Sequence, residues 1–266
     1  MKNIVITGSS RGIGYGLARE FLKAGHRVMI SGRNATTLEQ ACDRLRSETG
    51  TVYIDATVAD VTRTSDIRKL WDHASRNGKV DIWINNAGVG QDTSLLIEMD
   101  EQMICSIIET NIKGLMLSCR VVAAQMSVQG SGAIYNMEGF GSDGRKMARM
   151  SAYGTSKNAV HYFTKVLAME TKKLPVLVGS ISPGMVVTSM LTDPVMADKQ
   201  VNREALKIFH ILADTVETVT PFLVRKMISN RKHGASIRWL NSRKITGRFI
   251  RNLFIKRRVE GLPEIG

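Results

Sequence analysis

The amino-acid sequence predicts an α/β protein built on a doubly wound parallel sheet of about seven strands. Three observations carry that expectation. Short apolar runs of strand type alternate with amphipathic stretches of helical length over most of the chain, the pattern of a parallel sheet with crossover helices. A glycine-rich turn follows the first apolar run directly. The chain has 266 residues, 43% hydrophobic and 23% charged, which suits one globular domain with a sizeable core.

The elements follow in order. Residues 3–7 (NIVIT) form the first strand, and residues 13–23 a helix that stops near Gly25. Residues 27–31 (RVMIS) read as the second strand, about 36–48 as the second helix, 52–56 as the third strand and 66–76 as the third helix. The fourth strand is 81–85 (DIWIN), followed by helical stretches at 101–108 and 112–127. The fifth strand spans 132–137, a long helix 152–172 and the sixth strand 175–181. After Pro183 the alternation loosens: 187–212 is partly helical, 215–230 a helix, 235–240 (ASIRWL) a seventh strand and 242–258 a basic amphipathic helix. This gives a Rossmann-type domain over 1–241 with a C-terminal extension over 242–266. Right-handed crossovers put every strand's C-terminal end on one edge, where ligands bind.

Cys42, Cys105 and Cys119 are odd in number and widely spaced, which fits a reducing, cytoplasmic setting better than a disulfide framework. The N-terminal MKNIVITGSS lacks the apolar region of a signal peptide, and no run reaches the roughly 18–20 apolar residues that span a bilayer. The net charge of +13 is local: residues 225–258 hold twelve Lys and Arg and no acidic residue, while the remainder is nearly neutral.

The first turn reads Thr7-Gly8-Ser9-Ser10-Arg11-Gly12-Ile13-Gly14, a TGxxxGxG pattern between strand and helix. Glycines there let the backbone approach a pyrophosphate, and the helix N-terminus offers free N–H groups. Gly8, Ser10, Arg11, Gly12, Ile13 and Gly14 are therefore candidate cofactor contacts, with a plain tight turn as the alternative. The second strand ends Ser31-Gly32-Arg33, without the carboxylate that would hold a ribose 2′-hydroxyl. Arg33, helped by Arg11, suits a 2′-phosphate, so NADP(H) is expected over NAD(H). The third strand leads to Asp60 and Val61, where an Asp can meet an adenine amino group or serve as a helix cap or turn residue. Asn86, Ala87 and Gly88 end the fourth strand and allow close packing against the adenosine side.

TGSSRGIG, NNAG at 85–88, Asn111, YGTSK at 153–157 and SPGMVVTS at 182–189 fall in an order and spacing that resembles the short-chain dehydrogenase/reductases over about residues 3–190. A narrower resemblance, carried by NMEGFGSDGR with AYGTSKNAVHYFTK and SPGMVVTSML, is to the chlorophyll b reductase branch. Those enzymes reduce the C7 formyl group of chlorophyll b to hydroxymethyl with NADPH. The resemblance implies that Tyr153 is the proton donor and Lys157 its partner. The i,i+4 spacing puts both on one helix face, and a neighbouring ammonium is expected to lower the phenol pKa. It also implies that Asn111 kinks its helix and holds a water, and that Pro183, Gly184 and Thr188 meet the nicotinamide. Residues 187–212 would form a substrate lid, with Met185, Met190, Leu191, Met196, Ile208, Phe209, Ile211 and Leu212 as adaptable apolar lining or as helix core.

The branch departs from the family at the carbonyl-polarising serine. Glu138 and Gly139 stand where most members carry a Ser-Ser pair. Ser142 is the candidate hydroxyl, with a backbone N–H of the loop as the alternative. The reading is thus an NADPH-dependent reductase of chlorophyll b or a related hydrophobic carbonyl. The alternatives are a reductase of another ketone, such as a steroid or 3-oxoacyl substrate, and a redox-dead NADP-binding sensor. The family commonly forms dimers or tetramers through the two long helices, so a homodimer or homotetramer is expected. In the extension, Ile245, Phe249, Leu253 and Phe254 share one face, with basic residues mostly elsewhere. That suits peripheral contact with an anionic membrane, or packing on the domain or a sister subunit. Nucleic acid is not expected, because no recognition fold accompanies the charge.

Overall fold

A computed structural model describes residues 1–192 and 203–262. Seven parallel strands form one sheet: β1 (Asn3–Ile6), β2 (Arg27–Gly32), β3 (Ile54–Val58), β4 (Ile82–Asn85), β5 (Ala133–Met137), β6 (Leu177–Ser182) and β7 (Ala235–Arg238), in the order β3-β2-β1-β4-β5-β6-β7. The order reverses between β1 and β4, which opens a crevice at the C-terminal edge.

Alternation along each strand feeds two cores, because successive side chains point to opposite faces. Ile4 and Ile6 pack on one face with α1 (Gly12–Lys23), α2 (Ala35–Thr49) and α8 (Val216–Ser229). Val5 points to the other, with α3 (Thr64–Ser75), α5 (Leu115–Gln129) and α6 (Ser151–Glu170). Each core is almost wholly aliphatic and aromatic, so hydrophobic burial is the main force that fixes the layers.

Most expected elements appear with shifts of one or two residues. The third strand moves later, to Ile54–Val58, and leaves Val52 exposed, because Val28 N of β2 first pairs with Tyr53 O. The helix expected at 112–127 is preceded by a π-helical turn over Glu109–Gly114 that joins it to α4 (Glu101–Ile108). Such a wide turn often marks a functional position. Past β6, residues 187–192 and α7 (Arg203–Leu212) are the described parts of the expected lid; Met196 lies outside the described residues. Ile211 is core and Phe209 packs beside Ala213 and Val259, whereas Met190 and Ile208 are exposed.

The last helix, α9 (Ser242–Phe254), is four residues shorter than expected. Asn241 caps it by accepting from Lys244 N. Among the described residues no helix is long and apolar enough to cross a membrane.

Candidate active site

The glycine turn is held by neighbouring strands. Thr7 Oγ1 accepts from Asn86 N and Ala87 N, both at 3.1 Å, while Asn86 Nδ2 donates to Thr7 O and Gly8 O. This brings the ends of β1 and β4 so close that side chains are excluded. A Cβ on Gly14 would stand 2.5 Å from Asn86 Nδ2 and 2.6 Å from Gly8 O. Gly8 has φ +61°, and a Cβ there would meet Ala87 Cα at 2.7 Å. Ser9 faces inward, donating to Ile6 O and accepting from Ser31 N. Ser10 and Arg11 stay at the surface. No side chain caps the N-terminus of α1, so the first-turn N–H groups around Gly12, Ile13 and Gly14 are left for an anion. The chain fits a dinucleotide pyrophosphate on that ground.

At the neighbouring strand ends, Arg33 is exposed one residue past β2. Asp60 sits in a turn that accepts from Thr62 N and Thr62 Oγ1. Burial pushes its carboxyl up, but the Thr62 bonds and the charges of Arg33 and Arg63 outweigh it and hold the group below the usual carboxylate range. Val61 packs against Gly114 of the π-helical turn. Gly12 faces the Thr188 methyl, which brings the loop after β6, begun by Pro183 and Gly184, over the glycine turn.

On α6, Tyr153 and Lys157 lie one turn apart, with Lys157 Nζ 5.7 Å from the phenol ring centre. Lys157 Nζ donates to Met137 O at 3.2 Å and is almost wholly enclosed. Burial drops its pKa from the usual lysine value to about 8, opposed by the negative charge of Glu138. Burial likewise raises the Tyr153 phenol to about 12. The expected lowering of the phenol by its lysine is not seen: the ammonium is turned toward Met137 O, and burial is the one influence on the phenol. Among the described residues none hydrogen-bonds to Tyr153 Oη, which leaves its proton for an incoming acceptor.

Asn111, in the π-helical turn, exchanges two bonds with the Val89 backbone and donates to Ser156 Oγ on α6. It thus ties the β4 loop beside Gly88 to the helix that carries Tyr153 and Lys157.

Gly139, immediately after Glu138, stands where the family resemblance leads one to expect serine. A Cβ there would lie 2.5 Å from Tyr153 Oη. Ser142 is not a free donor: its hydroxyl donates to Lys157 O and accepts from Gly139 N, both at 3.1 Å. Its single proton is committed to latching the loop onto α6, and Gly139 N is occupied by the same bond. In this arrangement Ser142 serves the loop, and polarising a carbonyl would require its hydroxyl to leave Lys157 O.

Three further residues shape the site and were not read from the sequence. Gln91 accepts from Tyr153 N and donates to Arg149 O, fixing the start of α6, where no side chain acts as cap. Glu138, almost completely buried, accepts from His161 Nδ1 at 2.6 Å and pairs with Arg238 at 3.5 Å. A carboxylate directly after an apolar strand was the available signal for Glu138. Asp214 follows α7: its backbone pairs with Met185 and Val187, and its carboxylate accepts from Trp239 Nε1, Arg248 and Arg257 at 2.5, 2.7 and 2.5 Å.

Comparison with known proteins sets this geometry in context. Residues 2–198 match the family model described as short chain dehydrogenase. The chain is similar to a protein of Arabidopsis thaliana named chlorophyll(ide) b reductase NOL, chloroplastic, with 40% identity over 84% of this chain and 64% of that one. It is similar also to probable chlorophyll(ide) b reductase NYC1, chloroplastic, of the same plant, with 31% identity over 92% of this chain and 51% of that one. The chain thus spans less than two thirds of the length of either relative. Its fold is shared with a 3-ketoacyl-(acyl-carrier-protein) reductase from Brucella melitensis complexed with NADH, at TM-score 0.78 and 22% identity, covering 91% of this chain and 98% of that one.

Proposed function

The chain belongs to the short-chain dehydrogenase family, and on that premise we propose that it is an NADPH-dependent carbonyl reductase whose substrate is the C7 formyl group of chlorophyll b or a related hydrophobic aldehyde. The observation that carries this reading is the environment of Tyr153 Oη: unpartnered among the described residues, on the same helix face as Lys157, and bordered by the bare backbone of Gly139. With the Ser142 hydroxyl engaged, Tyr153 is the donor to the substrate oxygen among the described residues at this wall. The absence of a side chain at 139 leaves a smooth edge for a broad, flat aldehyde.

The residues divide the work. Gly8, Ser10, Gly12, Ile13 and Gly14 hold the pyrophosphate at the uncapped start of α1. Arg33 and Arg11 take the 2′-phosphate and so select NADP(H) over NAD(H). Asp60, Val61, Asn86, Ala87 and Gly88 line the adenosine side, and Pro183, Gly184 and Thr188 the nicotinamide side. When bound, the cofactor supplies a hydride to the carbonyl carbon. The Tyr153 O–H bond breaks and its proton passes to the carbonyl oxygen, which completes the alcohol. Lys157, protonated below about pH 8, steadies the phenolate left behind. Asn111 keeps Val89 and Ser156 in register around that pair.

Exposed Met116 on α5 and Tyr162 and Met169 on α6 support a homodimer or homotetramer through these helices. The free thiols of Cys42, Cys105 and Cys119 support a reducing, cytoplasmic setting.

Anaerobic incubation with NADPH and detergent-solubilised chlorophyll b, followed by pigment chromatography, tests the reading. A 7-hydroxymethyl product is expected. It should fall about 10²–10⁴-fold in Tyr153→Phe, the range for losing a general acid, with NADPH binding retained. NADPH binding without product would redirect the search to steroid or 3-oxoacyl ketones; no turnover of any carbonyl would favour a sensor.

A further inference from the structure

The helix α9 is mounted inside out. Its inward side is polar: Arg248 donates to Leu212 O and Asp214, Lys244 lies over the Trp239 ring, and Asn252 accepts from Arg257 N. Ile245 in the first turns is half-buried, but the later apolar side chains turn to solvent, with Phe249 41%, Ile250 54%, Leu253 81% and Phe254 83% exposed. At about 100° per residue these four cover one continuous stripe. Helices that pack on their own domain do the reverse.

We propose that this stripe docks the protein on an anionic lipid surface. Charge decides the occupant. Arg243, Arg251 and Lys256 are exposed around the stripe, and residues 225–258 carry twelve cations and no anion. A helix with apolar residues on one side and cations around them is built for the boundary between lipid headgroups and acyl chains. A second copy of the chain suits the face poorly, because a two-fold contact would set the same arginines and lysines against each other.

The mounting also fixes where the surface lies relative to the site. Arg257 Nη1 donates to Ile211 O and Ala213 O, and Arg248 Nη1 to Leu212 O, so the extension caps the last carbonyls of α7. Asp214 O accepts from Val187 N, one residue before Thr188 at the glycine turn. The docked face is therefore tied to α7 and to the loop after β6, and a lipid-dissolved substrate would reach the site from the side that touches the bilayer. The docking does not depend on which carbonyl is reduced.

Flotation of the full chain with vesicles tests it. With phosphatidylcholine vesicles containing phosphatidylglycerol, the protein is expected to float; with pure phosphatidylcholine, or at high salt, binding should drop sharply. The triple substitution Phe249→Ser, Leu253→Ser and Phe254→Ser should weaken partition at least ~10-fold, from the lost apolar burial, with circular dichroism and thermal unfolding unchanged. Arg243→Glu with Arg251→Glu should weaken it also. The proposal is overturned if the wild type stays unbound with anionic vesicles, or if the serine variant binds like wild type. It is overturned too if, without vesicles, the wild type is a dimer that the serine variant converts to monomer.

Discussion

The two halves of the catalytic edge are held by different means. Between β1 and β4, small residues and backbone do the holding: Thr7, Asn86 and the glycines interlock through main-chain bonds, and an added methyl has nowhere to go. Between β5 and the C-terminal extension, charged side chains do it. Glu138 reaches Arg238, a hundred positions along the chain, and Asp214 gathers Arg248, Arg257 and Trp239. The first arrangement is specified by close approach and tolerates almost no change of residue. The second is specified by pairing of buried charge.

Breaking the charged half should have the larger effect on stability. Asp214→Asn leaves two guanidinium groups without their carboxylate. Removing one member of a buried ion pair destabilises by roughly 3–5 kcal/mol. Arg257 is about one third exposed, with 32% of its side-chain surface open, so about 3 kcal/mol, at the low end, is expected. A urea titration would read it as an earlier midpoint with unchanged slope. A loss under about 1 kcal/mol would mean that burial of Val259 and Leu262, rather than charge, holds the extension. In the close-packed half, Gly14→Ala forces a methyl to within 2.5 Å of Asn86 Nδ2. Overpacking of this kind costs about 1–3 kcal/mol. Because the strain falls on the turn itself, NADPH affinity should fall at least ~10-fold. Unchanged affinity would show that the turn relaxes without moving the pyrophosphate contacts.

The same contrast explains what could be read in advance. Strand alternation and the glycine turn are local, so the sheet, the helices and the TGxxxGxG site were visible, with element ends off by a residue or two. Tyr153, Lys157 and Asn111 were visible because their spacing is part of the pattern. The contacts of Ser142 were not legible, because a hydroxyl near the right place says nothing of which carbonyl takes its proton; here Lys157 O does. Asp214 and Gln91 gave no signal, since their partners are distant in sequence. For the extension, periodicity gave the apolar stripe but not its direction. That direction depends on Asp214 claiming the arginine side.

The smallest expected effect isolates electrostatics from packing. Glu138→Gln keeps the side-chain shape and can still bond His161 or Arg238, and because the Arg238 pair is long, at 3.5 Å, with Arg238 35% exposed, it should cost less stability than Asp214→Asn. What it removes is a negative charge that favours the Lys157 ammonium against burial. Lysine is charged below its pKa. With Lys157 at about 8, kcat/KM for carbonyl reduction should be level at neutral pH and decline as pH rises through about 8. Without the Glu138 charge the ammonium is less favoured, the lysine pKa falls further, and the decline must begin at lower pH. The Tyr153 phenol, raised to about 12, keeps its proton throughout this range, so the limb reports the lysine rather than the acid. A profile that stays in place, with activity merely scaled down, would mean that Glu138 is there to fasten β5 to β7 and α6, and that its charge does not reach the chemistry.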